Sequence, residues 1–212
     1  NRAPGFIKAV RKQPFFGNRQ VAMHNPSEIE KDAALMLEVA NGNATASRLV
    51  AELYLDGPFR LALRILGDSS LAEDMAQEAF IKLWKQAPKW QAKAQIKTWL
   101  HRVTYNLCVD YLRKQKRYSD DEMPEMEDTR PGVLELKEQQ QLGDKVTEAL
   151  QKLPARQRIA ISLVHFEEYG NIEAAAIMEI SVDALESLLA RGRRKLKELL
   201  QPTRRLMDGE AI

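Results

Sequence analysis

The chain has 212 residues, 44% of them hydrophobic, a mean hydropathy of −0.42 and a formal net charge of +2. That composition can fill one large domain or two small ones. No apolar run approaches the ~20 residues of a membrane-spanning helix, so no membrane insertion is expected. One cysteine, Cys108, cannot close an internal disulfide, and with three dispersed histidines it makes no metal-site spacing. A cytoplasmic setting and a small buried role for Cys108 are the expectations.

The near-neutral total conceals segregation of charge. Residues 1–27 hold Arg2, Lys8, Arg11, Lys12 and Arg19 and no acid, with prolines and glycines spread among them. They read as a disordered basic arm, or as residues upstream of a start at Met23. Beyond them every element reads as a helix. Ser27 with Glu30 forms a capping box for a helix that carries Leu35, Leu37 and Val39, and Asn41-Gly42-Asn43 breaks it. A second helical stretch runs from about Ala44 to Leu66, interrupted at Asp56-Gly57-Pro58. Gly67-Asp68-Ser69-Ser70 supplies caps for a helix over Leu71–Gln86. Leu71, Met75, Ala79 and Leu83 share one side of it, with Phe80 and Trp84 beside them, and Glu73, Asp74, Gln77 and Glu78 lie opposite. After a loop, a helix over Gln95–Arg117 buries Ile96, Trp99, Leu100, Val103 and Leu107. Its other side, with the loop before it, holds Lys93, Lys97, Arg102, Arg113, Lys114, Lys116 and Arg117. On the plainer reading, Asn106 and Asp110, one turn apart among apolar neighbours, cap or brace the packing between helices.

Asp120–Asp128 packs six carboxylates into nine residues and is followed by Pro131-Gly132. Like-charge repulsion and proline both oppose a core, so this is a linker between two small domains. Helical patterning returns near Val133, with Pro154 suited to a first turn ahead of Ile159, Leu163 and Phe166. Tyr169-Gly170 breaks the chain, Asn171 caps a short helix over Ile172–Met178, and Glu179-Ile180 turns into Ser181, the N-cap of a last helix from Val182 to about Leu200. Two helices around a tight turn, the second basic in its C-terminal half, make a helix-turn-helix.

Trp90, Trp99 and Tyr105 beside the basic stripe provide rings and cations, the materials of single-strand binding. The acidic face at Glu73–Glu78 repels DNA and suits docking on a protein. Arg191–Lys197 suits phosphate contacts at the end of a recognition helix. No phosphate loop, triad or carboxylate pair with a pocket is present in the pattern, so neither an enzyme nor a cofactor is expected.

Three stretches then bring a family into view. They are Ala72-Glu73-Asp74-Met75-Ala76-Gln77-Glu78-Ala79-Phe80, Thr98-Trp99-Leu100 with Asn106, Asp110 and Arg113 following, and Ala149-Leu150 through Leu153-Pro154 to Arg158. In this order around an acidic linker, the chain resembles an extracytoplasmic-function sigma factor of the bacterial sigma-70 family, over roughly Leu35–Arg117 and Val146–Leu200. The resemblance implies an all-α chain of two small helical domains joined by a flexible acidic linker. Residues 28–117 would be a region 2 bundle, 118–135 the linker and 136–205 a region 4 helix-turn-helix. It implies core RNA polymerase and promoter DNA as partners, an anti-sigma factor as inhibitor, and a linker whose charge mimics nucleic acid along the RNA path. Asp74, Gln77, Glu78 and Phe80 would bind polymerase. Trp90, Lys93, Lys97, Arg102, Tyr105, Asn106 and Arg113 would take the opened −10 strand and its extruded base. Ser181, Asp183, Ala184, Glu186, Ser187, Arg191, Arg193 and Arg194 would read the −35 element in the major groove.

Two departures from the family pattern stand out. Glu179 replaces the turn glycine, at a cost of about 1 kcal/mol if the site needs positive φ. Glu186 and Leu188 stand where Lys and Arg are usual, which moves the expected phosphate contacts to Arg191, Arg193 and Arg194. Two other readings are a sigma-like decoy for an anti-sigma factor and an ordinary helix-turn-helix regulator. The basic stripe argues against the first, the acidic face and linker against the second.

Overall fold

A computed structural model describes residues 26–121 and 146–207, and all regular structure among them is helical. The basic arm and most of the acidic linker fall outside the described residues. The first half comprises α1 (Pro26–Ala40), α2 (Ala44–Tyr54), α3 (Asp56–Leu66), α4 (Ser69–Gln86), a 3-10 turn at Ala87–Lys89 and α5 (Ile96–Asp121). The second half comprises α6 over residues 146–151, α7 (Ala155–Ile161) running into a π-helical turn at Ser162–Phe166, α8 (Asn171–Met178) and α9 (Val182–Met207).

Local chemistry fixes most helix ends. The Asn43 side chain accepts from the amides of Thr45 and Ala46 to cap α2. Gly67, at φ 74, ends α3 in the left-handed region, and Asp68 caps α4 by accepting from the Leu71 amide at 2.9 Å. The start of α5 is capped from a distance: Asp32 on α1, only 2% exposed, accepts from the Ile96 amide at 2.7 Å and from the Tyr54 hydroxyl at 2.7 Å.

Several expected boundaries move. α1 begins at Pro26, ahead of the expected Ser27 cap, because proline's fixed φ and missing N–H suit a first turn. The kink expected at Asp56 is a break at Leu55. α5 continues past Arg117 to Asp121, so the first residues assigned to the linker are helical; the next breaker in sequence is Pro124. Pro154 is the residue before α7, in extended conformation, and not inside its first turn. Asn171 is the first residue of α8 and not its cap, since the Glu173 carboxylate takes the Gly170 amide at 3.3 Å instead.

Two apolar clusters organise the molecule. One lies within the first half, where Met36, Val50, Phe80, Leu83, Ile96 and Leu100 are buried together. The other crosses between the halves: Leu61 and Ile65 of α3, Ala72 of α4 and Cys108 of α5 share a core with Leu150, Ile159, Leu163, Tyr169, Ile177 and Leu185. The two domains divided by the acidic linker are therefore packed against each other, because α3 and α5 each carry a second apolar side. Cys108 is fully buried in that shared core, as its composition suggested, and burial pushes its thiol up to about 12.

α9 crosses α7 closely at Gly192, where an added Cβ would stand 2.6 Å from Ile161 Cδ1 and 3.4 Å from Gln157 Cβ. Gly192→Val should overpack this crossing and cost about 1–3 kcal/mol. A fall in thermal midpoint, with helix content retained below it, is the expected result by circular dichroism.

Candidate nucleic-acid interface

The geometry of α5 divides its residues among three faces. Ile96, Leu100, Trp99, Val103 and Leu107 turn into the first-half cluster. His101 and Cys108 are buried on another side, with Tyr105, Val109 and Leu112 packed against the shared core. Asn106, Asp110 and Arg113 face solvent, with Arg113 Nη1 3.7 Å from Asp110 Oδ1. Asn106 and Asp110 therefore do not brace helix packing as expected. Lys93 is exposed just ahead of the helix. Trp90 is half-buried, set edge-on to Trp99 at 6.1 Å between centroids, and its indole N–H is buried with no bond among the described residues. Both rings serve first as framework for the loop.

Three of the expected strand-binding residues instead meet the second half of the chain. Lys97 Nζ donates to the Glu167 carbonyl at 3.2 Å and lies 5.2 Å from the centre of the Tyr169 ring. Arg102 Nη2 donates to Glu179 Oε1 at 2.7 Å, and the Tyr105 hydroxyl donates to the Met178 carbonyl at 3.2 Å. Behind them, Arg64 of α3 donates to the Glu167 carboxylate at 2.6 Å and lies 4.6 Å over the Phe166 ring. The Gln151 amide adds a bond to the Arg64 carbonyl at 2.9 Å. The Glu167 side chain is 3% exposed and that of Arg64 16%, so this pair is largely withdrawn from water. Such a pair specifies an arrangement more than it stabilises one.

His101 is wholly buried in the same junction. Its Nδ1 lies 2.8 Å from the Tyr169 hydroxyl, with the rings edge-on. Burial, and then the nearby Lys97, Arg60 and Arg64, lower the His101 pKa to about 3. The imidazole is thus neutral, and its Nδ1 shares a hydrogen bond with the Tyr169 hydroxyl. Its Nε2 faces the Glu167 carboxylate at 3.6 Å, beyond hydrogen-bond length.

Glu179 occupies the turn of the helix-turn-helix at φ 54, ψ 45, the left-handed conformation that glycine usually supplies. The backbone cost anticipated from sequence is thus incurred. Ser181 caps α9 as expected, its hydroxyl accepting from the Ala184 amide at 3.2 Å. On α9 the exposed side carries Asp183, Glu186, Ser187, Arg191, Arg193 and Arg194, with Ala184 half-buried. Glu186 Oε1 accepts from the Asn171 amide at 3.1 Å, and Arg193 Nε lies 3.1 Å from His165 Nε2. Leu188 is 8% exposed and faces the core, so its departure from a basic residue concerns packing and not DNA.

On α4, Asp74 and Gln77 are exposed, and Glu78 Oε1 lies 3.3 Å from Lys82 Nζ. Phe80, expected among the polymerase-binding residues, is buried at 5% exposure and tilted against Trp84 at 5.5 Å between centroids. No group of three metal-ligating residues occurs among the described residues, and no helix there is long and apolar enough to cross a membrane.

Comparisons with known proteins align with both halves. The Sigma-70 region 2 family model matches residues 50–118, and the Sigma-70, region 4 model matches residues 143–196. The chain is 30% identical to the ECF RNA polymerase sigma factor SigW of Bacillus subtilis over 175 residues, covering 77% of this chain and 94% of that protein. It is 29% identical over 188 residues to the ECF RNA polymerase sigma-E factor of Escherichia coli, covering 83% and 97%. Among solved structures, the sigma factor RpoE of Bartonella quintana, in complex with the anti-sigma factor NepR, superposes with a TM-score of 0.58 at 26% identity, covering 73% and 96% of the two chains. CnrH, in complex with the cytosolic domain of CnrY, has a TM-score of 0.60 at 23% identity and shares the fold over 81% of this chain and 97% of that one.

Acid should act on the junction through His101. Its folded pKa of about 3 lies below its ordinary value of about 6.5, so between those values the unfolded chain binds a proton that the folded chain refuses. The stability from neutral His101 is complete above the ordinary value and is lost as pH falls through the window. Denaturant midpoints taken at about pH 7 and about pH 5 should fall further for the wild type than for His101→Gln, which is weaker at neutrality but flatter with pH.

Proposed function

The chain belongs to the extracytoplasmic-function group of the sigma-70 family, RNA polymerase sigma factors that direct promoter-specific initiation, and we propose how its surfaces divide that work. It is a non-enzymatic transcription factor. Asp74, Gln77 and Glu78 on α4 dock on the clamp helices of the largest catalytic subunit. Their exposure along one side of a helix whose other side is core supports that role. Lys93, Lys97, Arg102, Tyr105, Asn106 and Arg113 take the opened −10 strand, with Trp90 framing the pocket for an extruded base. A cationic, ring-bearing helix with Asn106 and Arg113 already open to solvent favours this assignment.

The −35 element meets the exposed side of α9. Arg191, Arg193 and Arg194 contact phosphates, while Asp183, Ala184, Glu186 and Ser187 face base edges, with Ser181 at the helix start. An ionised Glu186 only accepts hydrogen bonds, and in the major groove cytosine N4 and adenine N6 are the donors it can find. The bond from Asn171 orients that carboxylate. The protein acts in the cytoplasm, where the polymerase works, and an anti-sigma factor regulates it, as the NepR complex of its relative supports.

The observation that carries this reading is the pairing of region 2 and region 4 matches in one chain. Run-off transcription with purified core polymerase on a pool of promoter fragments tests it: discrete transcripts that require this protein support it, and polymerase binding without any initiation counts against it. Asp74→Ala with Gln77→Ala should weaken binding to core polymerase about tenfold or more while leaving the thermal midpoint unchanged, measured by fluorescence anisotropy and melting. Glu186→Gln, which adds a donor, should relax the base preference at one −35 position in selection from a randomised promoter pool.

A further inference from the structure

The face of α5 assigned to the −10 strand is not vacant. Lys97, Arg102 and Tyr105 all spend their polar contacts on residues between Glu167 and Glu179, and Arg64 adds a fourth contact just behind them. What they touch has the chemistry of a single strand. Two carboxylates sit on two arginines, a carbonyl oxygen sits on a lysine, and the Tyr169 ring lies under that same lysine. Anionic oxygens and a flat ring are the groups a strand presents to such a surface.

The backbone of the second half is arranged to deliver them. Glu168 at φ 62 and Glu179 at φ 54 are the described residues other than glycine with positive φ. One follows Glu167 directly and the other follows Met178, so both sit in the segments that reach across. Glycine at 179 would form the same turn at lower cost. What it could not do is set a carboxylate against Arg102.

We propose that region 4 of this chain is a built-in occupant of the −10 surface, with Glu167, Glu179 and Tyr169 taking the places of strand phosphates and a base on Arg64, Lys97 and Arg102. Region 4 and promoter strand are then alternative partners of one face. Arg64, hidden in the closed form, becomes a phosphate contact once the halves part. This inference rests on the assignment of the −10 strand to α5.

The full chain, free of polymerase, tests the proposal by fluorescence anisotropy with a fluorescein-labelled, random-sequence single-stranded oligodeoxynucleotide. Glu179→Gly should tighten binding about twofold to fivefold, the range that losing one exposed ion pair converts to, and Glu167→Gln should tighten it at least as much. Small-angle scattering should find both variants expanded. Glu168→Gly is the matched control: it makes the same charge change and relieves the same kind of backbone conformation without touching the contacts of Arg64, Lys97, Arg102 and Tyr105, and it should leave both readings unchanged. Glu179→Gly lies on an exposed turn, so it remains informative if Glu167→Gln fails to fold. Equal oligonucleotide affinity for wild type and Glu179→Gly, with Lys97→Ala and Arg102→Ala still weakening binding, overturns the occupant proposal and leaves the strand surface standing. If Lys97→Ala and Arg102→Ala have no effect even in a Glu179→Gly background, the strand assignment falls and the proposal falls with it.

Discussion

Helix α5 has more apolar surface than one neighbour can cover. Ile96 and Leu100 are fully buried on one side, His101 and Cys108 on another, and a helix with two buried sides must be enclosed from two directions. The bundle of α1 to α4 encloses one and the helix-turn-helix half encloses the other. The rest follows from that need. Asp32 reaches from α1 to fix the start of α5, and Arg64 and Gln151 join α3 to α6 and the π-helical turn. The polar rim around Glu167 then sets how the halves register, because a misplaced buried carboxylate would lose its guanidinium and its orientation together.

Energy and use pull against each other at Glu179. A left-handed glutamate costs about 1 kcal/mol relative to glycine, and an ion pair between side chains 55% and 57% exposed returns about that or less. The residue is therefore close to neutral for folding and earns its place only through where it puts a charge. Glu167 shows the opposite balance, since its burial makes the pairing with Arg64 obligatory.

Much of this was legible in the sequence. Helical periodicity located α1 to α5 and α7 to α9, the caps at Asp68 and Ser181 had the side chains to act as such, and the three motif stretches pointed to the family. The burial of Phe80 was also legible from its place beside Ala79 and Leu83 on the apolar side of α4. What periodicity could not supply were contacts between residues far apart in the chain. Arg64 with Glu167, His101 with Tyr169 and Arg102 with Glu179 are 103, 68 and 77 residues apart and lie on opposite sides of the acidic linker. Tyr169-Gly170 read only as a break, because nothing local marks Tyr169 as buried. The long reach of α5 into the linker was missed for a related reason: acidic composition argued for disorder where no breaker stood before Pro124.

The buried thiol has a consequence for signalling. A cysteine reacts with oxidants, electrophiles and other thiols as thiolate, and Cys108, buried among apolar side chains with its thiol pushed up to about 12, is scarcely ever in that form. It is also the chain's one cysteine. A stimulus that works by thiol chemistry therefore finds no reactive thiolate in the folded chain.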